Sequence, residues 1–283
     1  MTTANHGPGS AAAPAAGAPA GGGVPRRRSA AFFDLDKTIV AKSSAYAFGK
    51  QFMESGMLTA SGVMQMALAQ ALYISGGHDR EQMEAAKEQM AAMATGWRAA
   101  DVRRIAEESL HEVISPYVYA EAVELIRHHR QAGHDVIVVS ASARELVEPI
   151  AAELGIHESV ATELEVVDGV YTGEVPFFCR GGNKARELAR LAAERGYDLS
   201  RCWAYSDSAT DEPMLAAVGH PVAVNPDRML RKMAEERGWP IRDFRNPVPL
   251  FRPPSRRTIG AMGIAAGAAA LAVGVVAALR GRR

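Results

Sequence analysis

Short apolar runs that end in polar residues alternate along this chain with segments of helical periodicity. The four clearest runs are AAFFD, DVIVVS, CWAYSD and HPVAVN, at residues 30–34, 135–140, 202–207 and 220–225. Each run is followed by a turn or by the start of a helix. This alternation is typical of a parallel sheet covered by helices, and it places the polar strand ends along one edge, where open α/β folds bind ligands. We therefore predict an α/β fold with a Rossmann-like parallel sheet.

The first two predicted strands are separated by a long stretch without a comparable apolar run. Residues 45–130 are rich in Ala, Met, Glu and Gln, and glycines and a proline interrupt them. This composition predicts a helical insert. Its methionines are interpreted as ordinary helix packing, with a Met-rich wall for an apolar substrate as the alternative. His128 and His129 follow an amphipathic segment and are expected to be exposed to solvent.

The remaining segments complete the predicted organisation. Residues 1–28 are rich in Ala, Gly and Pro and are predicted to be a disordered arm, because this composition cannot bury enough apolar surface to offset the entropy of ordering. The core of the fold is assigned to residues 29–44 and 131–244. Within this core, residues 166–175 alternate apolar and polar side chains around an Asp-Gly pair. This pattern predicts a β-hairpin. Residues 245–258 are rich in Pro and Arg and are predicted to be a linker.

The C-terminal region contains an uncharged segment, residues 259–279. As a helix it would be about 31 Å long, close to the thickness of a bilayer core. We predict a transmembrane helix in contact with membrane lipid, with a helix docked on the body of the protein as the alternative. Gly263 and Gly267 form a GxxxG pattern through which such helices self-associate. Because no signal peptide is recognised, the body of the protein is expected in the cytoplasm, anchored to the membrane by this helix.

Charge and cysteine content exclude several classes of function. The 32 basic and 32 acidic residues cancel, so the uniformly basic field of a nucleic-acid-binding protein is absent and no nucleic-acid partner is expected. The charge is nevertheless uneven, since residues 31–241 carry a net charge of −10 and residues 242–283 carry +7. Cys179 and Cys202 lack CxxC spacing and are interpreted as buried free thiols, not as a disulfide or part of a zinc site.

Polar side chains with catalytic potential follow the predicted strands or begin a predicted helix. Two carboxylates in a DxD pattern can converge on one ion when the strand ends and the backbone turns. The candidates are Asp34, Asp36 and Thr38 after the first strand, Ser140 after the second, Lys184 in GGNK, and Asp207 and Asp211 in SDSATD.

In chain order and local context, these residues resemble the four motifs of the haloacid dehalogenase superfamily of phosphohydrolases, over roughly residues 30–241. The helical insert between the first and second motifs is similar to the cap of subfamily IB, the phosphoserine phosphatase-like enzymes. The segments SDSATD and HPVAVNPD resemble the actinobacterial branch of that subfamily. The resemblance implies a Mg²⁺-dependent phosphatase that acts on a small-molecule phosphomonoester through an aspartyl-phosphate intermediate.

The resemblance also implies which residues carry the reaction. Asp34 would be the nucleophile, and Asp36 would protonate the leaving alkoxide and later activate water. Asp34, the backbone carbonyl of Asp36 and Asp207 would bind Mg²⁺. Asp211 would orient Lys184 or hold a metal-bound water.

The transferring phosphoryl group would be bound by a second set of residues. Ser140 would donate its hydroxyl, with Ala141 beside it, and Lys184 would supply a fixed positive charge where negative charge spreads in the transition state. Thr38 would position the loop through its hydroxyl.

The chain departs from typical phosphoserine phosphatases at two positions. Their glutamate nine residues after the nucleophile is Ser43 here, and their asparagine before the last aspartate is Thr210. Arg80 and Lys87 in the insert remain candidates for pairing with a substrate carboxylate. Two alternatives to a phosphatase of unspecified substrate therefore stay open: a phosphoserine phosphatase of serine biosynthesis, and a regulatory protein that uses the fold as an interaction module.

Overall fold

The computed structural model describes residues 28–59 and 80–247, and it is an α/β fold with a parallel sheet. Six strands form the sheet in the order β3-β2-β1-β6-β7-β8, and every neighbouring pair is parallel. The strands are β1 (Ala30–Phe33), β2 (Asp135–Ala143), β3 (Ser159–Thr162), β4 (Val166–Val167), β5 (Val170–Tyr171), β6 (Trp203–Ser206), β7 (His220–Val224) and β8 (Ile241–Arg242).

Helices connect the strands and cover both faces of the sheet. They are α1 (Ser44–Ala47), α2 (Gly49–Glu54), α3 (Arg80–Ala94), α4 (Ala99–Val113), α5 (Ala120–Gln131), α6 (Arg144–Glu153), α7 (Gly182–Arg195), α8 (Glu212–Ala216) and α9 (Arg228–Arg237). Because both faces are covered, consecutive residues of β1 are all buried: Phe33 lies in the core beneath α5 and the insert, and Phe32 lies in the core formed with Leu188 of α7.

The parallel sheet and the four strands predicted from the apolar runs are confirmed, with small differences in length. Two edge strands, β3 and β8, were not predicted, because Ser159–Thr162 is half polar and Ile241–Arg242 has only two residues. The second strand also continues past Ser140 to Ala143, with an irregular register against β3 between these two residues.

The predicted hairpin is confirmed and fastens the insert to the core. Strands β4 and β5 are antiparallel, and the turn between them has positive φ angles at Asp168 (51°) and Gly169 (79°), as a two-residue hairpin turn requires. Tyr171 N donates to Trp97 O at 2.9 Å, and Gly96 N donates to Tyr171 O at 3.0 Å. The hairpin therefore holds the connection between α3 and α4.

The expectation that both histidines at the end of α5 are exposed is wrong for His129. His128 is exposed, but His129 is 2% exposed, because the helical repeat places it on the same face as the buried Ile126 and Ala122. Its Nε2 lies 2.8 Å from the hydroxyl of Tyr205. Burial, together with neighbouring histidines, lowers the pKa of His129 to about 4, so the ring is neutral at neutral pH.

The cysteine prediction is also confirmed, since Cys179 and Cys202 are buried free thiols. Most of the predicted terminal segments, namely the arm, the linker and the helix over residues 259–279 with Gly263 and Gly267, lie outside the described residues. Within residues 28–59 and 80–247, none of the helices combines the length and the apolar character needed to cross a bilayer.

Candidate active site

The candidate site lies where β1 and β6 end at the carboxyl edge of the sheet. Asp34 follows β1 directly, and its N–H donates to Tyr205 O of β6 at 2.9 Å. Lys37 has a positive φ of 60°, and its N–H donates to Val40 O at 2.6 Å, so the chain turns sharply after Asp36. Strand β1 thus ends directly before Asp34, and the pair Asp34 and Asp36 lies between the sheet and this turn.

A buried ion triad stands at the centre of the site. Lys184 Nζ lies 2.6 Å from Asp34 Oδ1 and 2.6 Å from Asp211 Oδ2. The side chain of Lys184 is only 2% exposed, and those of Asp34 and Asp211 are 9% and 4% exposed. The structure thus joins three of the predicted residues, which come from three separate segments of the chain.

Burial and charge work against each other in this triad. Burial raises the pKa of Asp34 to about 7, although the ammonium of Lys184 acts to lower it. For Lys184, burial alone would lower the pKa, but the charges of Asp211 and Asp34 outweigh burial and raise it. Lys184 is therefore a permanent cation, and it favours the ionised carboxylate that a nucleophile requires.

Asp211 is held by a residue that the sequence motifs did not single out. Ser206, fully buried at the end of β6, donates its hydroxyl to Asp211 Oδ2 at 2.7 Å. The same oxygen accepts the bond from Lys184. The sequence did not predict this hydrogen bond, because Ser206 lies in an apolar run and a serine inside a predicted strand does not indicate which residue it contacts.

Asp207 lies in the same loop as Asp211 and is 8% exposed. Burial, followed by the nearby charge of Asp34, raises the pKa of Asp207 well above its ordinary value. Asp227 supports this loop from the next segment: its N–H donates to Asp207 O at 2.8 Å, and its Oδ2 accepts from Ala209 N at 2.9 Å.

The carboxylates of Asp34 and Asp207 fit a hard divalent cation. Both are buried, and the charge of Asp34 disfavours ionisation of Asp207, a cost that a bound cation would remove. No three His, Cys, Asp or Glu side chains of the described segments converge as a metal cluster. Two carboxylates and a backbone carbonyl are nevertheless an all-oxygen set that suits Mg²⁺, which keeps several water ligands in proteins.

The carboxyl group of Asp36 has two protein donors, neither of which was predicted. Ser44 N donates to Oδ1 at 2.8 Å, and the Ser142 hydroxyl donates to Oδ2 at 3.2 Å. The two serine hydroxyls lie 2.8 Å apart. Burial raises the pKa of Asp36, and these hydrogen bonds oppose the rise. Ser44 stands beside Ser43, the position noted for its missing glutamate, and Ser142 lies two residues beyond Ser140.

The predicted phosphoryl-binding residues occupy the neighbouring strand end and loop. Ser140 is 1% exposed and lies in β2 two residues beyond Val138, which pairs with Phe33 at the end of β1. Ala141 O accepts the hydroxyl of Thr162 at 2.7 Å. Thr38 is fully buried, and its hydroxyl has no hydrogen-bond partner among the described residues. Its predicted role in positioning the loop is thus not seen as a direct contact.

A second cation, Arg180, was not predicted. Burial lowers the pKa of Arg180, while the charges of Asp211, Asp34 and Asp207 act to raise it. Its guanidinium is therefore within electrostatic range of the site. The only sequence signal was its place in RGGNK, just before Lys184.

A cavity of about 500 Å³ lies between α3 and α7. Lys87, suggested above as a partner for a substrate carboxylate, contributes to its lining together with Arg186 and Phe178. Asn183, the neighbour of Lys184, also lines it. The catalytic candidates themselves lie outside this lining.

Comparison with known proteins agrees with the geometry. Residues 31–216 match the haloacid dehalogenase-like hydrolase family. A probable phosphatase of Mycobacterium tuberculosis is 49% identical over 261 residues, which is 92% of this chain and 89% of the relative. A phosphoserine phosphatase of the same organism is 38% identical over 258 residues, or 90% of this chain and 80% of that protein.

Among solved structures, a Bordetella pertussis protein of unknown function superposes with a TM-score of 0.66 at 29% identity, covering 79% of this chain and 99% of the other. The resemblance inferred from the four motifs is thus confirmed. The chain belongs to the haloacid dehalogenase-like hydrolases, in their phosphoserine phosphatase-like group, and is an enzyme of the phosphatase type.

Proposed function

We propose that this phosphatase hydrolyses a small-molecule phosphomonoester through an aspartyl-phosphate formed on Asp34. The observation that carries the proposal is the contact of Lys184 with Asp34 and Asp211, at 2.6 Å each, in a buried position. A buried ammonium beside a carboxylate favours the ionised form against the effect of burial, and it also attracts the anionic phosphoryl group.

In the first half of the reaction, an Oδ atom of Asp34 attacks phosphorus. The bond between phosphorus and the ester oxygen breaks as the new bond from Asp34 forms. The departing oxygen takes a proton from the carboxyl group of Asp36, which prevents the release of an alkoxide.

In the second half, water attacks phosphorus and displaces Asp34. Asp36, now a carboxylate, takes a proton from the attacking water, and inorganic phosphate leaves. Ser140, Ala141 and Lys184 bind the phosphoryl oxygens in both halves, with Thr38 in the adjoining loop. Asp211 keeps Lys184 in place, as their 2.6 Å contact supports.

Mg²⁺ would be held by Asp34, Asp207 and the backbone carbonyl of Asp36. When bound, it neutralises charge on the phosphate and on the nucleophile, so that the two anions can approach each other. The raised pKa values of Asp34 and Asp207 support this assignment, because buried carboxylates with too few nearby cations resist ionisation.

The proposal specifies the substrate only as a small-molecule phosphomonoester. Phosphoserine is the specific alternative. A relative at 38% identity is named a phosphoserine phosphatase, which favours it. Ser43 argues against phosphoserine. It occupies the position of the glutamate expected in that enzyme type, so the carboxylate that would pair with the substrate ammonium is missing. A purely regulatory role is disfavoured because the charged triad and Asp36 are all present.

The decisive experiment is a phosphate-release screen over phosphoserine, phosphocholine, lysophosphatidate and sugar phosphates, with Mg²⁺ and with EDTA. We expect Mg²⁺-dependent release from at least one ester, accompanied by an acid-stable, hydroxylamine-sensitive phosphoenzyme. Release from phosphoserine alone would establish the alternative, and no release from any ester would refute the proposal.

We further propose that residues 259–279 anchor the enzyme to the membrane, with Gly263 and Gly267 on a face through which two helices pack. The supporting observation is that this segment contains no charged residue. Fractionation of cells that express the full chain and a chain ending at Pro254 tests this proposal. We expect only the full chain in the membrane fraction, and recovery of both chains in the supernatant would overturn it.

A further inference from the structure

The carboxyl group of Asp36 is fixed by two buried serines that lie outside the four motifs. Ser44 is fully buried and Ser142 is 5% exposed. One oxygen of Asp36 accepts the N–H of Ser44 at 2.8 Å, and the other accepts the hydroxyl of Ser142 at 3.2 Å. Because both oxygens are bonded, the plane of the carboxyl group is set by the protein.

The two serines also bond to each other, and they come from different parts of the fold. Their hydroxyl oxygens lie 2.8 Å apart, although the residues are 98 positions apart in the chain. Ser44 is the first residue of α1, where the insert begins, and Ser142 lies in the extension of β2 beyond Ser140. The orientation of Asp36 is therefore tied to the start of the insert and to the phosphate-binding strand end.

Hydroxyl groups suit this position because each can donate one hydrogen bond and accept others. While Asp36 is a carboxylate, Ser142 donates to it and accepts from Ser44. After Asp36 gains a proton, the protonated oxygen keeps a lone pair for the hydroxyl of Ser142, so the O–H of Asp36 can point toward the leaving oxygen. The pair can thus satisfy Asp36 before and after each proton transfer without moving any heavy atom.

We propose that Ser142 and Ser44 are positioning residues that hold Asp36 in its proton-transfer orientation. This inference rests on the proposed role of Asp36 as the group that protonates the leaving oxygen. Neither serine needs to touch the substrate, so their loss is expected to reduce kcat and to leave KM nearly unchanged.

The test compares two leaving groups in single-turnover experiments with the Mg²⁺-loaded full chain. An alkyl phosphate identified by the substrate screen needs a proton on its leaving oxygen, whereas p-nitrophenyl phosphate releases a stable anion without one. We expect Ser142→Ala to slow the cleavage of the alkyl ester about tenfold or more and that of the aryl ester about twofold at most. Asp36→Asn should show the same selectivity with a larger loss.

Further variants separate positioning from a general loss of structure. If the serines act as a unit, Ser44→Ala combined with Ser142→Ala is no slower than Ser142→Ala alone. Ser142→Thr, which keeps the hydroxyl, should recover part of the rate. The matched control is Ser55→Ala, because the hydroxyl of Ser55 donates to Phe52 O at the end of α2 in the insert, and its loss should leave both rates unchanged.

The outcomes distinguish the inference from the proposed function. Equal losses on both esters, or a change in KM alone, with Ser142→Ala would overturn the inference if Asp36→Asn still discriminates between the esters. If Asp36→Asn does not discriminate, the role of Asp36 is wrong and the inference fails with it. A wild-type chain that cleaves neither ester refutes both.

Discussion

The ammonium of Lys184 lies 2.6 Å from Oδ1 of Asp34, although 150 positions separate the two residues in the chain. This contact brings the helix start at α7 against the end of β1. Together with the equal contact to Asp211, it places one positive charge between two negative charges in the interior. The stability of the site therefore depends on Lys184 more than on any exposed ion pair.

We predict that Lys184→Met lowers the free energy of unfolding by about 3 kcal/mol, because two buried carboxylates lose their counter-charge. Urea unfolding monitored by circular dichroism measures this change. The control is Lys50→Met, since Lys50 forms an exposed pair with Glu54 and its loss should cost about 0.5 kcal/mol or less. Equal effects of the two substitutions would contradict the prediction.

Asp34→Asn is expected to abolish turnover and leave the fold intact. The amide has nearly the shape of the carboxylate but cannot attack phosphorus, and Lys184 keeps its bond to Asp211. Phosphate release and the thermal midpoint report the two effects separately. Asp101→Asn, at an exposed position of α4, is the matched control and should retain full activity. Normal activity of Asp34→Asn would exclude Asp34 as the nucleophile.

Mg²⁺ is expected to raise the thermal midpoint of the wild-type chain, because a ligand that binds only the folded state stabilises it. At a concentration of about 100 times Kd the gain is about 2.7 kcal/mol. Asp207→Asn should lose most of this shift, whereas Asp101→Asn should keep it. A shift of the same size in Asp207→Asn would remove Asp207 from the metal site.

Acid is expected to destabilise the protein partly through His129. Its pKa is lowered from 6.5 to about 4 in the folded state, so below pH 6.5 the unfolded chain binds a proton that the folded chain does not. Stability from this group is therefore complete above pH 6.5 and is lost as pH falls toward 4, by roughly 1 kcal/mol or more.

The check compares thermal midpoints at pH 7 and pH 5 for His129→Gln and for His128→Gln. His129→Gln is expected to be less stable at pH 7, because it disturbs the bond to Tyr205, but to lose less on acidification than wild type. His128 is exposed, and its charge ranks behind burial and His134 as a cause of the lowered pKa of His129, so His128→Gln should stay close to the wild-type curve. An unchanged acid response in His129→Gln would show that His129 does not contribute.

Asp227→Ala should weaken both stability and activity. Asp227 caps α9 by accepting Leu230 N at 2.7 Å, and its other oxygen holds the loop of Asp207 through Ala209 N. Loss of a cap of this kind costs about 1–2 kcal/mol. Thermal unfolding and phosphate release measure the two effects. Asp227→Asn retains one acceptor oxygen, so its stability and activity should lie between those of wild type and Asp227→Ala. Full activity in Asp227→Ala would show that the Asp207 loop does not need the Asp227 side chain.

Much of the fold could be predicted from the sequence, because strands and helices are indicated by patterns of neighbouring residues. Runs such as DVIVVS are longer and more apolar than chance segments, so they predicted the central strands of the sheet. The edge strands β3 and β8 were not predicted, because they are short, partly polar strands without a long apolar run. His129 was misjudged for a related reason: a polar ring on the buried face of α5 is accepted because Tyr205 and His134 supply hydrogen-bond partners.

The sequence by itself determined the fold class, the family and the charged residues that reach the sheet edge, because strand ends and motif spacing are properties of neighbouring residues. Only the tertiary structure decided which side chains and backbone groups form hydrogen bonds to these charged residues. Ser206 on Asp211, and Ser44 with Ser142 on Asp36, are ordinary serines in the sequence. They become specific partners because folding removes water from the site, and each of its carboxylates, buried or partly buried, must then find hydrogen-bond donors within the protein.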